Sequence, residues 1–401
     1  MSFQATPTLF ASVKGVKLGY RRFGRQGGVP LIFLTHFRGS MDLIDPLLIN
    51  SIAENREVIL FDNAGVGHSE GAVQDTLEAM GSTVVDFLTS IGVSKVDILG
   101  FSLGGMIAQY IVVSHPRLVN KLILAGTQSS YTEGVVFGDP EIMEIAGVAV
   151  PSEEDMMKLF FYPSSTSHAL GHAWFERTKE RQVEGEQWRG FLDQAGAATQ
   201  QAAIGKFAAD TELFEKLKQV DTLVLVTNGK ADIMTPTSNS YILLQQLRNA
   251  QLHLYPDAGH GHLYQVPEIY AKQIELFLET TTLSGNASPF SHPDPDEEDP
   301  PTLDEIQTLR EFAESFGTAN AIAAEDAARQ LMSLVDERRV VEKRQSNVVD
   351  KGERVSWLLW DAAIGMPRYQ PAILKLIEAI RALPQLERTE DRSAPAVSRT
   401  D

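Results

Sequence analysis

The chain has 401 residues, 43% of them hydrophobic, with 53 acidic against 35 basic side chains, a formal net charge of -18 and no cysteine. That length fits one large domain plus a smaller one, with apolar residues enough for a substantial core. The missing thiols exclude disulfides, a thiol nucleophile and thiolate metal sites, and the acidic balance disfavours nucleic acid and anionic membranes as partners. The N-terminus, Met1-Ser2-Phe3-Gln4-Ala5-Thr6, does not set a basic region before an apolar stretch, and no segment approaches the roughly 18 apolar residues of a membrane span. The expectation is a cytoplasmic protein with no secretory leader and no membrane contact. From there to about Leu278, apolar runs alternate with amphipathic stretches. Val29–Leu34, Glu57–Phe61, Lys95–Leu99, Lys121–Ala125, Thr222–Val226 and Gln251–Tyr255 read as strands, and Thr76–Ile91, Gly104–His115, Ser238–Leu247 and Pro267–Leu278 as helices. Strands alternating with helices imply an α/β class with a mostly parallel sheet covered on both faces.

One interval breaks this rhythm. From about Ser129 to Val220 the sequence predicts no strand, while Glu153–Tyr162, Ser167–Gln182 and Glu186–Ala208 read as helices. Such an insertion between two strands is expected to form a helical cap over residues 129–220. A second change comes after residue 281, the expected end of the large domain. The segment 282–302 carries five prolines from Ser284 onward and the acidic run Asp294-Pro295-Asp296-Glu297-Glu298-Asp299, and reads as a solvated linker. Residues 303–387 read as a small all-α unit and 388–401 as a disordered tail. Ser356-Trp357-Leu358-Leu359-Trp360 and Ile373-Leu374-Lys375-Leu376-Ile377 have spacings suited to a helical core, a packed bundle being far commoner than a second active site.

The chemistry concentrates in Val96-Asp97-Ile98-Leu99-Gly100-Phe101-Ser102-Leu103-Gly104-Gly105. An apolar strand runs through Gly-x-Ser-x-Gly straight into a helix, the pattern of a nucleophile elbow that lifts a serine hydroxyl out of a sheet. A serine hydroxyl is a weak nucleophile near neutral pH and needs a base, usually a histidine oriented by a carboxylate. Of the nine histidines, His260 stands in Asp257-Ala258-Gly259-His260-Gly261, between an apolar strand and a helix. His36 also lies at a strand end, and His262 is two residues beyond His260, where a supporting or surface place is the stronger expectation. His115, His168 and His172 fall in predicted helices, His253 alternates with apolar neighbours, and His68 and His292 lie in a turn and the linker. For the carboxylate, Asp232 follows a strand in Gly229-Lys230-Ala231-Asp232-Ile233-Met234-Thr235-Pro236, although an aspartate before a turn often only caps a helix. The expected trio, in chain order, is Ser102, Asp232 and His260.

With these residues in place, Pro7 to Leu278 resembles an α/β-hydrolase-fold serine hydrolase, esterase-like, in which the same chain order is found. Phe61-Asp62-Asn63-Ala64-Gly65-Val66-Gly67-His68-Ser69 resembles that family's Asp-x-x-Gly-x-Gly-x-Ser turn, and Thr35-His36-Phe37-Arg38-Gly39 occupies the place of its His-Gly oxyanion loop. The resemblance implies that the backbone N–H groups of Phe37 and Leu103 bind the oxyanion, with Phe37 standing where a glycine is usual. Phe160-Phe161-Tyr162 and Trp174-Phe175 are candidates for an apolar acyl or aryl pocket, against the commoner role of packing helices together.

The resulting expectation is a hydrolase that cleaves an ester-like bond of a small apolar molecule through an acyl-enzyme, with no metal and no cofactor. Two alternatives stand beside it: a non-hydrolytic acyl transferase or cyclase on the same fold, and a catalytically idle interaction protein built around the C-terminal helices. The sequence leaves the oligomeric state open.

Overall fold

Strands that read as continuous apolar runs must be covered on both faces, and the sheet of this protein meets that demand. A computed structural model describes residues 2–138 and 140–279; the predicted linker, all-α unit and tail lie outside the described residues. The strands are β1 (Leu9–Val13), β2 (Val16–Gly24), β3 (Leu31–Leu34), β4 (Glu57–Phe61), β5 (Val96–Phe101), β6 (Val119–Ala125), β7 (Leu223–Gly229) and β8 (Ala250–Tyr255). They form one eight-stranded sheet in the order β1-β2-β4-β3-β5-β6-β7-β8. From β4 across to β8 every neighbouring pair is parallel, and β2 pairs antiparallel with both β1 and β4. Every residue of β3, β4, β5 and β7 is buried, as a sheet sandwiched between helical layers requires.

The helices are α1 (Pro46–Ala53), α2 (Leu77–Ser90), α3 (Leu103–Ser114), α4 (Pro140–Ala146), α5 (Glu153–Phe160), α6 (Ser165–Arg177), α7 (Gln194–Ala208), α8 (Thr211–Leu217), α9 (Ser238–Gln246), α10 (His262–Gln265) and α11 (Pro267–Glu279). The period-two alternation of the strands separates two cores. Leu31, Phe33, Val58 and Leu60 face α1 and α11, while Ile32, Leu34, Ile59 and Phe61 face α2 and α3.

The predicted strands and helices outside the insertion are present, with ends shifted by no more than three residues. The N-terminal hairpin and α1 are elements the sequence reading did not anticipate. In the hairpin, Val13 pairs with Val16, and the two-residue turn places Lys14 at φ 50 and Gly15 at φ 85. That is the twist a tight hairpin needs, carried by a Lys-Gly pair rather than the usual Asn-Gly or Asp-Gly. Helix α1 starts from Asp45, whose side chain accepts the Leu47 N–H at 2.9 Å, with Pro46 in the first turn.

Between β6 and β7 the described residues form α4 to α8 and no strand. These helices divide between the two cores: Met156, Met157, Phe160 and Trp174 of α5 and α6 join the first, and Phe207, Leu213 and Leu217 of α7 and α8 join the second. The helix expected over Glu186–Ala208 begins only at Gln194, where the Asp193 carboxylate accepts the Gly196 N–H at 2.8 Å. The stretch before it stays non-helical because its polar groups bond elsewhere. Arg189 N–H donates to Asp42 at 2.8 Å, the Arg189 carbonyl accepts from Ser40 Oγ at 2.6 Å, and Leu192 N–H donates to the Arg38 carbonyl at 2.9 Å.

The Asp62 turn supports the same loop from the sheet side. Its buried carboxylate accepts the N–H groups of Met41 at 2.7 Å and His68 at 2.8 Å, and burial pushes its carboxyl up to about 6 from 3.8. The folded state therefore holds this proton more tightly than the unfolded chain, and the group adds stability as pH falls through 6 toward 3.8. Compared with Asp62→Asn, which cannot titrate there, wild-type protein should gain about 2 kcal/mol of unfolding free energy between pH 7 and 4.5. Urea unfolding of the two proteins across that range checks it, and a constant difference contradicts it.

Candidate active site

The tight strand-to-helix turn at Ser102 follows from how closely α3 approaches the sheet. A Cβ added at Gly104 would run into the Leu34 carbonyl oxygen, and one at Gly100 would lie 2.6 Å from the Gly104 carbonyl oxygen and from the Gly105 Cα. With glycine at both places the helix starts hard against β3 and β5, and Ser102 is forced to φ 55 and ψ -116. Hydrogen bonds lock that conformation: Ser102 N–H donates to the Ala125 carbonyl at 2.8 Å, while the Ser102 carbonyl accepts from Thr127 Oγ1 at 2.8 Å and from Gly105 N–H at 2.9 Å.

The other candidates follow the ends of neighbouring parallel strands, and so reach the same edge of the sheet. Asp232 follows β7 and His260 follows β8. His260 Nδ1 lies 2.7 Å from Asp232 Oδ2, with the ring 1% exposed. Asp232 Oδ1 accepts the N–H groups of Met234 at 2.8 Å and Thr235 at 3.0 Å, and Thr235 Oγ1 donates to Oδ2 at 2.8 Å. Burial opposes the charge on Asp232, but His260 and the Thr235 donors outweigh it and hold the carboxyl below its ordinary value. A carboxylate in this place accepts a hydrogen bond from Nδ1–H, the tautomer that leaves the imidazole lone pair on Nε2. That atom is buried and has no hydrogen-bond partner among the described residues.

Ser102 and His260 line one cavity, together with Phe37, Arg38, Phe160, Phe191 and Met234 among others. No Ser102–His260 hydrogen bond is made. The cavity offers water-sized bodies about 20 Å³, enough for a water. Of the aromatic residues singled out above, Phe160 lines it. Phe161 and Trp174 are buried in the adjoining core with Phe175 against them, and Tyr162 is exposed. Phe160 also fixes the histidine loop: its carbonyl accepts the Gly261 N–H at 2.7 Å and its ring meets that of His260 edge-on at 5.4 Å.

The backbone N–H groups of Phe37 and Leu103 have no partner among the described residues. Phe37 follows β3 and Leu103 opens α3, so both belong to segments that bound the cavity. His36 is neutral in its buried place, its pKa lowered to about 4 by desolvation, and its Nδ1 lies 2.9 Å from the Phe37 carbonyl. His262 does not line the cavity. Burial lowers its pKa to about 3, and a chain of bonds holds the neutral ring. Tyr270 OH lies 3.0 Å from Thr227 Oγ1, which lies 3.0 Å from His262 Nε2, and His262 Nδ1 lies 3.1 Å from the His260 carbonyl. The sequence reading passed over Thr235, whose hydroxyl meets Asp232 only because the turn between them closes. It also gave no role to Arg38 and Gln200, which meet only through the tertiary fold.

Among the described residues no group of three or more His, Cys, Asp or Glu side chains is placed to hold a metal ion, and no helix is long and apolar enough to cross a membrane.

A family model of the α/β hydrolase fold matches residues 29–265, and the chain belongs to that family. It is accordingly a hydrolase of this fold, an enzyme acting on ester-type or related bonds. Among solved structures it is similar to an alpha/beta hydrolase fold protein from Chitinophaga pinensis, at 34% identity and a TM-score of 0.64 over 70% of this chain and 100% of that one. A putative carbamate hydrolase, RutD, from Rhizobium rhizogenes is 27% identical over 240 residues, 57% of this chain and 85% of its own length. The 2-hydroxymuconate semialdehyde hydrolase of Pseudomonas putida is 25% identical, over 56% of this chain and 78% of its own.

The elbow's dependence on glycine is testable. Gly104→Ala should cost on the order of 1–3 kcal/mol of stability, since backbone rather than a movable side chain blocks the new methyl. Gly205→Ala in α7, where a Cβ meets nothing within 4 Å, should be neutral or stabilising by up to ~1 kcal/mol. Urea unfolding of both variants checks the contrast.

Proposed function

We propose that the protein is a serine hydrolase cleaving an ester-like bond of a small apolar molecule through an acyl-enzyme. The observation that carries this reading is the pairing of a strained, cavity-facing Ser102 with a His260 whose Nδ1 is engaged 2.7 Å from Asp232 and whose Nε2 is uncommitted. In the proposed reaction Ser102 Oγ attacks the carbonyl carbon as His260 Nε2 takes the hydroxyl proton. Asp232 offsets the positive charge that forms on the imidazole. The oxyanion accepts from Phe37 N–H and Leu103 N–H, the second at a helix N-terminus whose dipole favours negative charge. Collapse of the tetrahedral intermediate expels the leaving group, which collects the proton from His260. Water, deprotonated by the same nitrogen, then releases the acid and frees Ser102.

The apolar walls, Phe160, Phe191, Met156, Leu159 and Met234, support an apolar acyl group rather than a charged one. One of the two relatives is named for a carbamate and the other for 2-hydroxymuconate semialdehyde, which supports a small-molecule substrate here. Product analysis with and without added nucleophiles separates hydrolysis from acyl transfer.

Two substitutions test the mechanism. Ser102→Ala should lose all labelling by a fluorophosphonate probe while its thermal melt stays close to wild type, and full labelling in a folded variant would overturn the proposal. His260→Ala should lower the labelling rate by several orders of magnitude. His262→Ala, which removes a ring that bonds the His260 carbonyl and the Thr227 hydroxyl and does not line the cavity, should cost far less, and a reversed order would make His262 the base.

A further inference from the structure

The loop that carries Phe37 is a four-residue turn in which Gly39 N–H donates to the His36 carbonyl at 2.9 Å. Arg38, its third residue, has φ 63, the value a type II turn demands and normally obtains from glycine. A long side chain in that position is held there by something else, and the holding groups come from the insertion between β6 and β7. Arg38 N–H donates to Gln200 Oε1 of α7 at 2.8 Å, and the Arg38 carbonyl accepts the Leu192 N–H at 2.9 Å. Its guanidinium, 2% exposed as a residue, donates to the carbonyls of Leu192 at 2.9 Å, Ala146 at 3.1 Å, Val148 at 2.6 Å and Ala149 at 3.0 Å. The main chain and the side chain of one residue are thus both clasped by the inserted segment.

The turn sets the direction of the neighbouring amide. The His36–Phe37 peptide gives its carbonyl to Gly39 N–H, so its own N–H, which belongs to Phe37, points the opposite way from that bond. His36 Nδ1 steadies the next peptide through the Phe37 carbonyl at 2.9 Å. Without the clasp, an arginine at this place is free to leave the left-handed region that L side chains rarely occupy, and the Phe37 amide turns with it.

We infer that Arg38 is a positioning residue through which docking of the inserted helices holds the Phe37 N–H in its oxyanion-binding orientation. This rests on the serine mechanism proposed above. It makes the oxyanion site a joint product of the sheet and the insertion, so that movement of residues 146–149 and 192 away from the sheet weakens the stabilisation of developing charge as well as opening the cavity. It also gives Phe37 a means of serving where glycine is usual, since the backbone geometry is imposed from outside the loop.

The test is the kinetics of phosphonylation by a fluorophosphonate probe, resolved into a maximal rate and a half-saturating concentration. In Arg38→Ala the maximal rate should fall on the order of 10²-fold, the size expected when one oxyanion donor is lost, with half-saturation changed less than about threefold, a uniform-binding term that the clasp does not set. Arg38→Lys, which keeps the charge but cannot span four carbonyls, should fall between Arg38→Ala and wild type. Gln200→Ala, which releases the Arg38 N–H and does not line the cavity, should lower the maximal rate in the same direction by a smaller factor, and it serves as the second reading if Arg38→Ala does not fold. A folded Arg38→Ala or Gln200→Ala protein with a wild-type maximal rate overturns the inference. So does a loss that appears wholly in half-saturation, since that marks Arg38 as a cavity wall. Wild-type protein that is not labelled at all overturns the serine mechanism instead, and the inference with it.

Discussion

The close approach of α3 to β3 and β5 is the constraint from which the rest of the site follows. Gly100 and Gly104 let helix and strands come within backbone contact distance, and the chain can pass from β5 to α3 only through the φ 55 conformation of Ser102. That conformation is sterically costly for an L residue. It persists because the Ser102 N–H and carbonyl are both bonded to the strand and loop alongside. The same closeness puts Leu103 N–H at the start of the helix beside the serine hydroxyl, where no helical carbonyl can claim it.

Around this fixed point, the parallel order of β3, β5, β7 and β8 brings the other groups to one edge of the sheet. What the sheet does not supply is a roof, and the insertion provides it in two different ways. Phe160 closes the cavity and binds the histidine loop through its carbonyl. The segment from Arg189 to Leu192 and the turn after α4 bind the loop from Arg38 to Asp42 by hydrogen bonds in place of helix formation. The first contact is largely apolar and the second almost wholly polar. The buried polar contact is the more exacting, because each unmet donor or acceptor there carries a desolvation penalty.

Much of this was legible in the sequence. The apolar runs of the strands, the amphipathic α2 and α11, the interval without strands and the Gly-x-Ser-x-Gly turn are local patterns, and each was read to within a few residues. Ser102, Asp232 and His260 could be nominated because chain order and strand ends are local properties too. The hairpin was missed because Lys14-Gly15 lacks the Asn or Asp that usually marks such a turn, and α1 because its eight residues make only about two turns, too few for their helical spacing to stand out. The helix expected over Glu186–Ala208 was drawn too long because helix propensity knows nothing of Asp42 or Arg38, more than 140 positions earlier, whose hydrogen bonds take up that backbone. For the same reason nothing in Thr35-His36-Phe37-Arg38-Gly39 announced that its arginine would be held by four distant carbonyls.

The central claim, that Ser102 is a nucleophile whose oxyanion is received by Phe37 and Leu103, is tested most directly by the crystal structure of the protein after reaction with diisopropyl fluorophosphate. The account predicts a single phosphoryl group on Ser102 Oγ, with its oxygen roughly 2.7–3.1 Å from both backbone nitrogens and His260 Nε2 still facing the adduct. A phosphoryl group on another residue, or one on Ser102 whose oxygen is turned away from Phe37 and Leu103, would contradict it.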